Sequence, residues 1–284
     1  MFKGSIVAMV TPFKDNAIDF KGVFTLIDMH LQAGTHALVI AGTTGEGGLL
    51  TILEQQTLLQ QVVHYVKGAV PVIAGASANA TQTCVQLATQ AMNCGADALL
   101  IMTPAYIKPT QEGLYQHYAT IATQVKLPII LYNVPSRTAC DLLPETVARL
   151  TNFANIIGIK DATGKLSRLQ ELLTLCGDRI KVYSGDDLTA AEWLLAGATG
   201  VISVTANIMP RAIVELYQLA QQQNTAKTLH KQSQLMPLHQ ALFVESNPIP
   251  VKWALHQMGL IHNELRLPLT PLSAQHHAPL QSLL

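Results

Sequence analysis

Several residues with reactive or binding side chains stand where short apolar runs of this chain end, and their types suggest carbonyl chemistry. Lys160 follows Ile156-Ile-Gly-Ile159. A lysine closing a buried apolar run projects where burial penalises the ammonium relative to the neutral amine. A neutral amine attacks a ketone and forms an imine. Once protonated, that imine is an electron sink: the adjacent carbon loses a proton and becomes a nucleophilic enamine. The competing explanation is an ordinary lysine that marks a strand end or pairs with Asp161.

Tyr132 closes another apolar run, Pro128-Ile-Ile-Leu-Tyr132. A phenol there can pass protons to the carbinolamine and to a new hydroxyl, or it can plug the core with its hydroxyl hydrogen-bonded. Thr43 and Thr44 lie in the turn Gly42-Thr-Thr-Gly-Glu-Gly47. Such a turn exposes backbone N–H groups and hydroxyls to an anion, which suits the carboxylate of a 2-oxo acid. Arg137 follows five residues after Tyr132. Its planar fork can hold a second carboxylate in bidentate fashion, or form a surface ion pair. Glu46 reads as structural, an acidic residue at the first turn of the next helix.

The elements that must position these groups recur along the chain. Nearly continuous apolar runs begin at Ser5, Ala37, Pro71, Ala98, Pro128, Ile156, Ile180 and Gly200. This is how strands covered on both faces read. Between them, apolar residues three and four apart predict helices over 54–66, 81–93, 112–124, 144–150, 166–175 and 188–196, with a last barrel helix over 210–223. Even alternation of eight strands with helices makes a closed (β/α)8 barrel of the TIM type, with a doubly wound open sheet as the alternative. The chain then divides into a barrel over 1–223, which carries the site, and a small C-terminal helical appendage over 224–284. In such a barrel, chemistry sits at the C-terminal ends of the strands.

Composition narrows the function classes. Lys plus Arg and Asp plus Glu number 18 each, so no basic footprint for nucleic acid is expected. Charged residues make up only 13% and hydrophobic residues 49%, which suggests that other subunits cover part of the exterior. Residues 1–13 do not read as a signal peptide, and no apolar stretch is long enough to span a membrane. Cys84, Cys94, Cys140 and Cys176 are scattered, as reduced thiols in a cytosol would be. The late histidines, 230, 239, 256, 262, 276 and 277, lack metal-ligand spacing and read as solvated helix faces.

Taken together, Gly42-Thr-Thr-Gly-Glu46, Tyr132-Asn-Val-Pro-Ser-Arg137, Gly158-Ile-Lys-Asp-Ala-Thr-Gly164 and Ser184-Gly-Asp-Asp187 closely resemble the dihydrodipicolinate synthase family. The likeness runs from Met1 to about Pro271 and includes Leu235-Met-Pro-Leu-His239 and the stretch from Phe243 to Trp253. The resemblance implies condensation of pyruvate with L-aspartate 4-semialdehyde to 4-hydroxy-tetrahydrodipicolinate, in lysine and diaminopimelate biosynthesis. Lys160 would form the Schiff base and Tyr132 would donate and accept protons. Thr43, Tyr132 and Tyr106 would form a proton relay, Tyr106 coming across a subunit interface. Thr44 and Ile202 would bind pyruvate, Arg137 would hold the semialdehyde carboxylate, and Gly185 would line the site. No metal or organic cofactor is implied, and a cytoplasmic homotetramer is.

The chain departs from part of that family. Lysine-sensitive members surround an interfacial effector pocket with His, His, Glu and Tyr side chains, and the matching positions here are Ile52, Gln55, Thr83 and Ala105, with Asn79 retained. Weak or absent feedback inhibition by L-lysine is therefore expected. The nearest alternative activity is that of an N-acetylneuraminate lyase or a 2-keto-3-deoxy sugar acid aldolase, which share the pyruvate half-reaction. Such sugar lyases usually lack an arginine where Arg137 stands. An alternative of another class is a non-catalytic barrel that only binds a 2-oxo acid.

Overall fold

A computed structural model describes residues 2–284. Eight parallel strands close into a barrel: β1 Gly4–Ala8, β2 Ala37–Ile40, β3 Val72–Gly75, β4 Ala98–Met102, β5 Ile129–Asn133, β6 Ile156–Asp161, β7 Lys181–Ser184 and β8 Gly200–Ser203. Closure is seen at β1, which pairs with β8 through Gly4↔Gly200 and with β2 through Ile6↔Ala37. The open-sheet alternative is thereby excluded. A two-stranded ribbon, Phe13–Lys14 with Ala17–Ile18, lies between β1 and the first helix.

Side chains alternate across each strand, so the strands serve two cores. Ile6, Val39, Ile73, Leu100, Ile130, Tyr132, Tyr183 and Ile202 fill the barrel interior. Val7, Leu38, Ile40, Leu99, Ile101, Leu131, Ile159 and Val201 face outward to the helices. The strands therefore read as unbroken apolar runs because each face meets a different apolar layer.

The outer ring consists of α1 Phe20–Ala33, α2 Ile52–Val66, α3 Thr81–Asn93, α4 Gln111–Gln124, α5 Pro144–Leu150, α6 Leu166–Cys176, α7 Ala190–Leu195 and α8 Pro210–Gln221. Helix α1 is absent from the sequence-based helices above, although Val23, Leu26, Ile27 and His30 recur at helical spacing and are buried. Helix α2 starts two residues before the expected Glu54. Thr51 caps it, and Glu54 returns to the Thr51 N–H to complete a capping box.

Beyond the ring lie α9 Thr225–Ala241, α10 Ile249–Gln257 and α11 His277–Gln281. These helices are stitched to the barrel. Gln232 donates to the carbonyls of Asp187 and Leu188. His239, expected on a solvated face, is instead fully buried, with Nδ1 2.7 Å from the Thr205 hydroxyl. Burial pushes its pKa down. No helix among the described residues is long and apolar enough to cross a membrane.

Candidate active site

The strand register brings the central residues together. Lys160 on β6 pairs with Tyr132 on β5 and with Tyr183 on β7. Both tyrosines belong to the barrel interior, so Lys160 shares that inward face at the C-terminal end of the barrel. It is 5% exposed, and its Nζ lies 4.3 Å from the centre of the Tyr132 ring. β6 runs one residue past the lysine, to Asp161. That next residue does not pair with Lys160. Its carboxylate accepts from Asn133 Nδ2 at 2.9 Å and from the Thr163 N–H at 2.9 Å. Among the described residues Lys160 forms no ion pair, whereas an alternating strand sends its neighbour to the other face.

Gly185 explains itself by contact. A Cβ there would sit 2.8 Å from Lys160 Cε and 3.0 Å from Ala162 Cβ. The lysine stem thus lies directly on the backbone that follows β7, and a side chain at 185 would displace it.

The turn after β2 is packed as tightly. A Cβ on Gly47 would fall 1.9 Å from the Ala41 carbonyl oxygen, so only glycine lets the turn fold back on the strand end. Thr43 is half-buried and Thr44 is buried. The Thr44 hydroxyl accepts from Asn247 Nδ2 at 2.9 Å. Glu46 departs from expectation. It precedes a short 3-10 turn with φ of 53° rather than opening α2, and it is buried against Lys252. The Lys252 ammonium donates to Glu46 Oε1 at 2.6 Å and to the Thr11 carbonyl at 2.9 Å. The Arg266 N–H holds the other carboxylate oxygen at 3.0 Å. The acidic first-turn residue of α2 is Glu54, whose carboxyl is pulled down to about 2, chiefly by its hydrogen bond to Arg266.

Arg137 lies in the one-turn helix Pro135–Thr138 that follows β5. It makes no ion pair among the described residues. Nη2 donates to the Asn247 carbonyl at 3.2 Å. A cavity of about 520 Å³ is lined by Lys160, Tyr132, Thr43, Thr44, Arg137 and Gly185, together with Asp186, Val204, Glu245 and Asn247. Six of the eight expected site residues therefore meet around one space. A smaller cavity of about 280 Å³ adjoins it and shares Thr43, Tyr132, Arg137 and Asn247.

Two expected residues stand apart from that lining. Ile202 is buried in the barrel interior with Tyr132, just beneath the mouth. Tyr106 is 87% exposed, and its ring is not among those around the Lys160 cavity of its own chain. Conversely, sequence reasoning gives Asn247 no role. Its hydrogen-bond partners lie 110 and 203 residues away, and no local spacing signals them.

Four of the positions matching the effector pocket, Ile52, Gln55, Asn79 and Thr83, line a further space of about 380 Å³ that adjoins the 280 Å³ cavity through Gly47, Gly48, Gln55, Ser77 and Met102 and has no carboxylate in its lining. Gln55 donates to the Gly47 carbonyl at 2.7 Å, and Asn79 accepts from the Ala105 N–H at 2.9 Å. Among the described residues, no grouping of three or more His, Cys, Asp or Glu is placed to hold a metal.

Comparison with known proteins supplies the family. The chain is 60% identical over 284 residues to a 4-hydroxy-tetrahydrodipicolinate synthase of Legionella pneumophila, covering 100% of this chain and 98% of that one. It is 54% identical over 282 residues to the enzyme of that name from Pseudomonas aeruginosa, covering 99% and 97%. Among solved structures, the chloride-inhibited dihydrodipicolinate synthase of Acinetobacter baumannii, crystallised with pyruvate, superposes with a TM-score of 0.98 at 48% identity, covering 100% and 98%. The model of the dihydrodipicolinate synthetase family matches residues 1–284. With the barrel and its relatives in agreement along the whole length, this chain belongs to the dihydrodipicolinate synthetase family.

Proposed function

We propose that this chain condenses pyruvate with L-aspartate 4-semialdehyde to 4-hydroxy-tetrahydrodipicolinate, as a step of lysine and diaminopimelate biosynthesis. The observation that carries this reading is a buried lysine without a carboxylate partner among the described residues, set beside a tyrosine in a cavity also lined by two threonines and an arginine. The Lys160 Nζ adds to C2 of pyruvate to form a carbinolamine, which loses water to become the iminium. Loss of a C3 proton gives the enamine, and C3 attacks the aldehyde carbon. The amino group of the second substrate then adds to the imine carbon and displaces Lys160, closing the ring. Tyr132 receives and returns the protons of these steps. Thr43 and Thr44 take the pyruvate carboxylate at their turn, with Ile202 beneath it and Gly185 at its side. Arg137 takes the carboxylate of the semialdehyde. The imine itself is the electron sink, so no organic cofactor or metal is assigned.

The relay from Thr43 through Tyr132 is completed by Tyr106 of another copy in a homotetramer. Its support is the exposure of Tyr106 beside the exposed apolar side chain of Ile107, with Ile52 and Leu53 also exposed. A cytoplasmic site fits the four free, buried cysteines. Weak or absent inhibition by L-lysine follows from a pocket without a carboxylate for the effector's ammonium.

The test is borohydride reduction in the presence of pyruvate, followed by peptide mass spectrometry. The expected adduct is on Lys160, and an unmodified Lys160 peptide would leave a silent 2-oxo-acid-binding barrel. Assays that offer pyruvate with either L-aspartate 4-semialdehyde or a sugar aldehyde separate the synthase from a sugar lyase. A preference for the sugar defeats the assignment. A lysine titration of initial rates should show weak inhibition or none. Inhibition at micromolar or low millimolar lysine would overturn that point.

A further inference from the structure

Asn247 joins the two halves of the site. Its side chain donates from Nδ2 to the Thr44 hydroxyl at 2.9 Å, and its main-chain carbonyl accepts from Arg137 Nη2 at 3.2 Å. The residue is 5% exposed and lines both cavities. Its Oδ1 is buried with no hydrogen-bond partner among the described residues. It also lies two residues before α10, whose Lys252 is bonded to Glu46, two residues after Thr44.

A threonine hydroxyl has one proton to donate and two lone pairs that accept. When Asn247 Nδ2 occupies a lone pair, the Thr44 proton is left to point elsewhere. The remaining direction that suits it is the anion-binding turn. We propose that Asn247 is a positioning residue that sets the Thr44 hydroxyl as a hydrogen-bond donor to the carboxylate of the bound 2-oxo acid. This rests on the assignment of Thr44 to pyruvate made above. The carbonyl of the same residue steadies Arg137, so one residue of the C-terminal segment tunes the first subsite by its side chain and the second by its backbone.

That division of labour supplies the test. Half-saturating pyruvate is read from borohydride trapping of Lys160, which needs no second substrate, and KM for the aldehyde is read from steady-state rates. Asn247→Ala removes the donor, and Asn247→Leu keeps most of the volume, adds no charge and donates nothing, so residue 247 no longer directs the Thr44 proton. In both variants half-saturating pyruvate should rise about tenfold, the scale of one hydrogen bond to a charged group. The aldehyde KM should stay within about twofold, since the carbonyl is kept. On a Thr44→Val background, Asn247→Ala should add less than about twofold, because the two residues act as one unit.

The role of Asn247 is overturned if either variant saturates with pyruvate as the wild type does, if both substrates weaken together, or if the effects of Asn247→Ala and Thr44→Val add in full. Should Asn247→Ala fail to fold, the near-isosteric, uncharged Asn247→Leu decides the same question by its pyruvate saturation. Absence of any pyruvate adduct in the wild type would defeat the proposed activity itself. A wild-type adduct with unshifted variants defeats only the role of Asn247.

Discussion

Lys160 and Lys252 are both buried, and each places its Nζ 4.3 Å from the centre of an aromatic ring, Tyr132 in one case and Phe13 in the other. Their other neighbours differ. Lys252 is matched by Glu46 Oε1 at 2.6 Å and by the Thr11 carbonyl, and both charged side chains are fully shielded from water. Burial pushes the pKa of Lys252 down, and Glu46 opposes that shift. Lys160 has no carboxylate partner among the described residues and borders a cavity of about 520 Å³. Burial alone therefore does not make a lysine reactive. What separates the two is whether the amine is already satisfied by the protein or left facing a space that a substrate can fill. Glu46 belongs to the same turn as Thr43 and Thr44, so the Lys252 pair anchors a turn that borders the Lys160 cavity.

The contrast breaks most sharply at Lys160. Lys160→Ala should abolish the pyruvate adduct while leaving the melting temperature close to that of the wild type, since no ion pair is lost. A collapse in thermal stability with the adduct retained elsewhere would place Lys160 in the structural class with Lys252. Tyr132→Phe comes next. Turnover should fall about 10²–10⁴-fold, the range of a general acid–base group, while pyruvate still labels Lys160. Unchanged turnover would remove the proton role of Tyr132.

Lys252→Met should show the reverse pattern. It strands Glu46 in the interior, and removing one partner of a buried pair costs about 3–5 kcal/mol. Chemical denaturation should show that loss. Pairing the change with Glu46→Leu should recover part of it, because no lone charge then remains. If Lys252→Met is as stable as the wild type, the pair is not the brace described here.

The gentlest contrast comes from buried bases that stay neutral. Burial lowers both His30 and His117 to about 4. The unfolded chain takes up a proton near the ordinary histidine value of about 6.5, and the folded chain does so only near 4. Between those values the unfolded state binds more protons, so stability falls as the pH drops through that window. Each group contributes a slope of up to about 1.4 kcal/mol per pH unit. His30→Gln should flatten the acid limb of a stability–pH profile measured by denaturant unfolding. An unchanged limb would show that His30 takes up its proton without cost in the folded protein.

The strand ends were the most legible part of the site. An apolar run followed by a lysine or a tyrosine is a local signal, and the barrel needs both strand faces apolar up to the mouth. The capping box Thr51–Glu54 is equally local, yet the acidic residue that reads as opening the helix is Glu46. Its burial depends on Lys252, 206 residues away, and no spacing rule reaches that far. The burial of His239 escapes local spacing for the same reason: its partner Thr205 lies 34 residues before it, on another element. Tyr106 was legible only as a family likeness, and its exposure in a single chain follows from the loop that carries it.

By itself, the amino-acid order determined the eight apolar runs, the alternation with helices and the residue types at the mouth, because these rest on periodicity and short-range bonding. Tertiary structure alone decided which lysine stays unpaired, which threonine is gripped from the C-terminal segment, and why residue 185 must be glycine. Those outcomes depend on atoms brought within about 3 Å across long stretches of chain, where packing and desolvation, rather than sequence neighbours, set the energy.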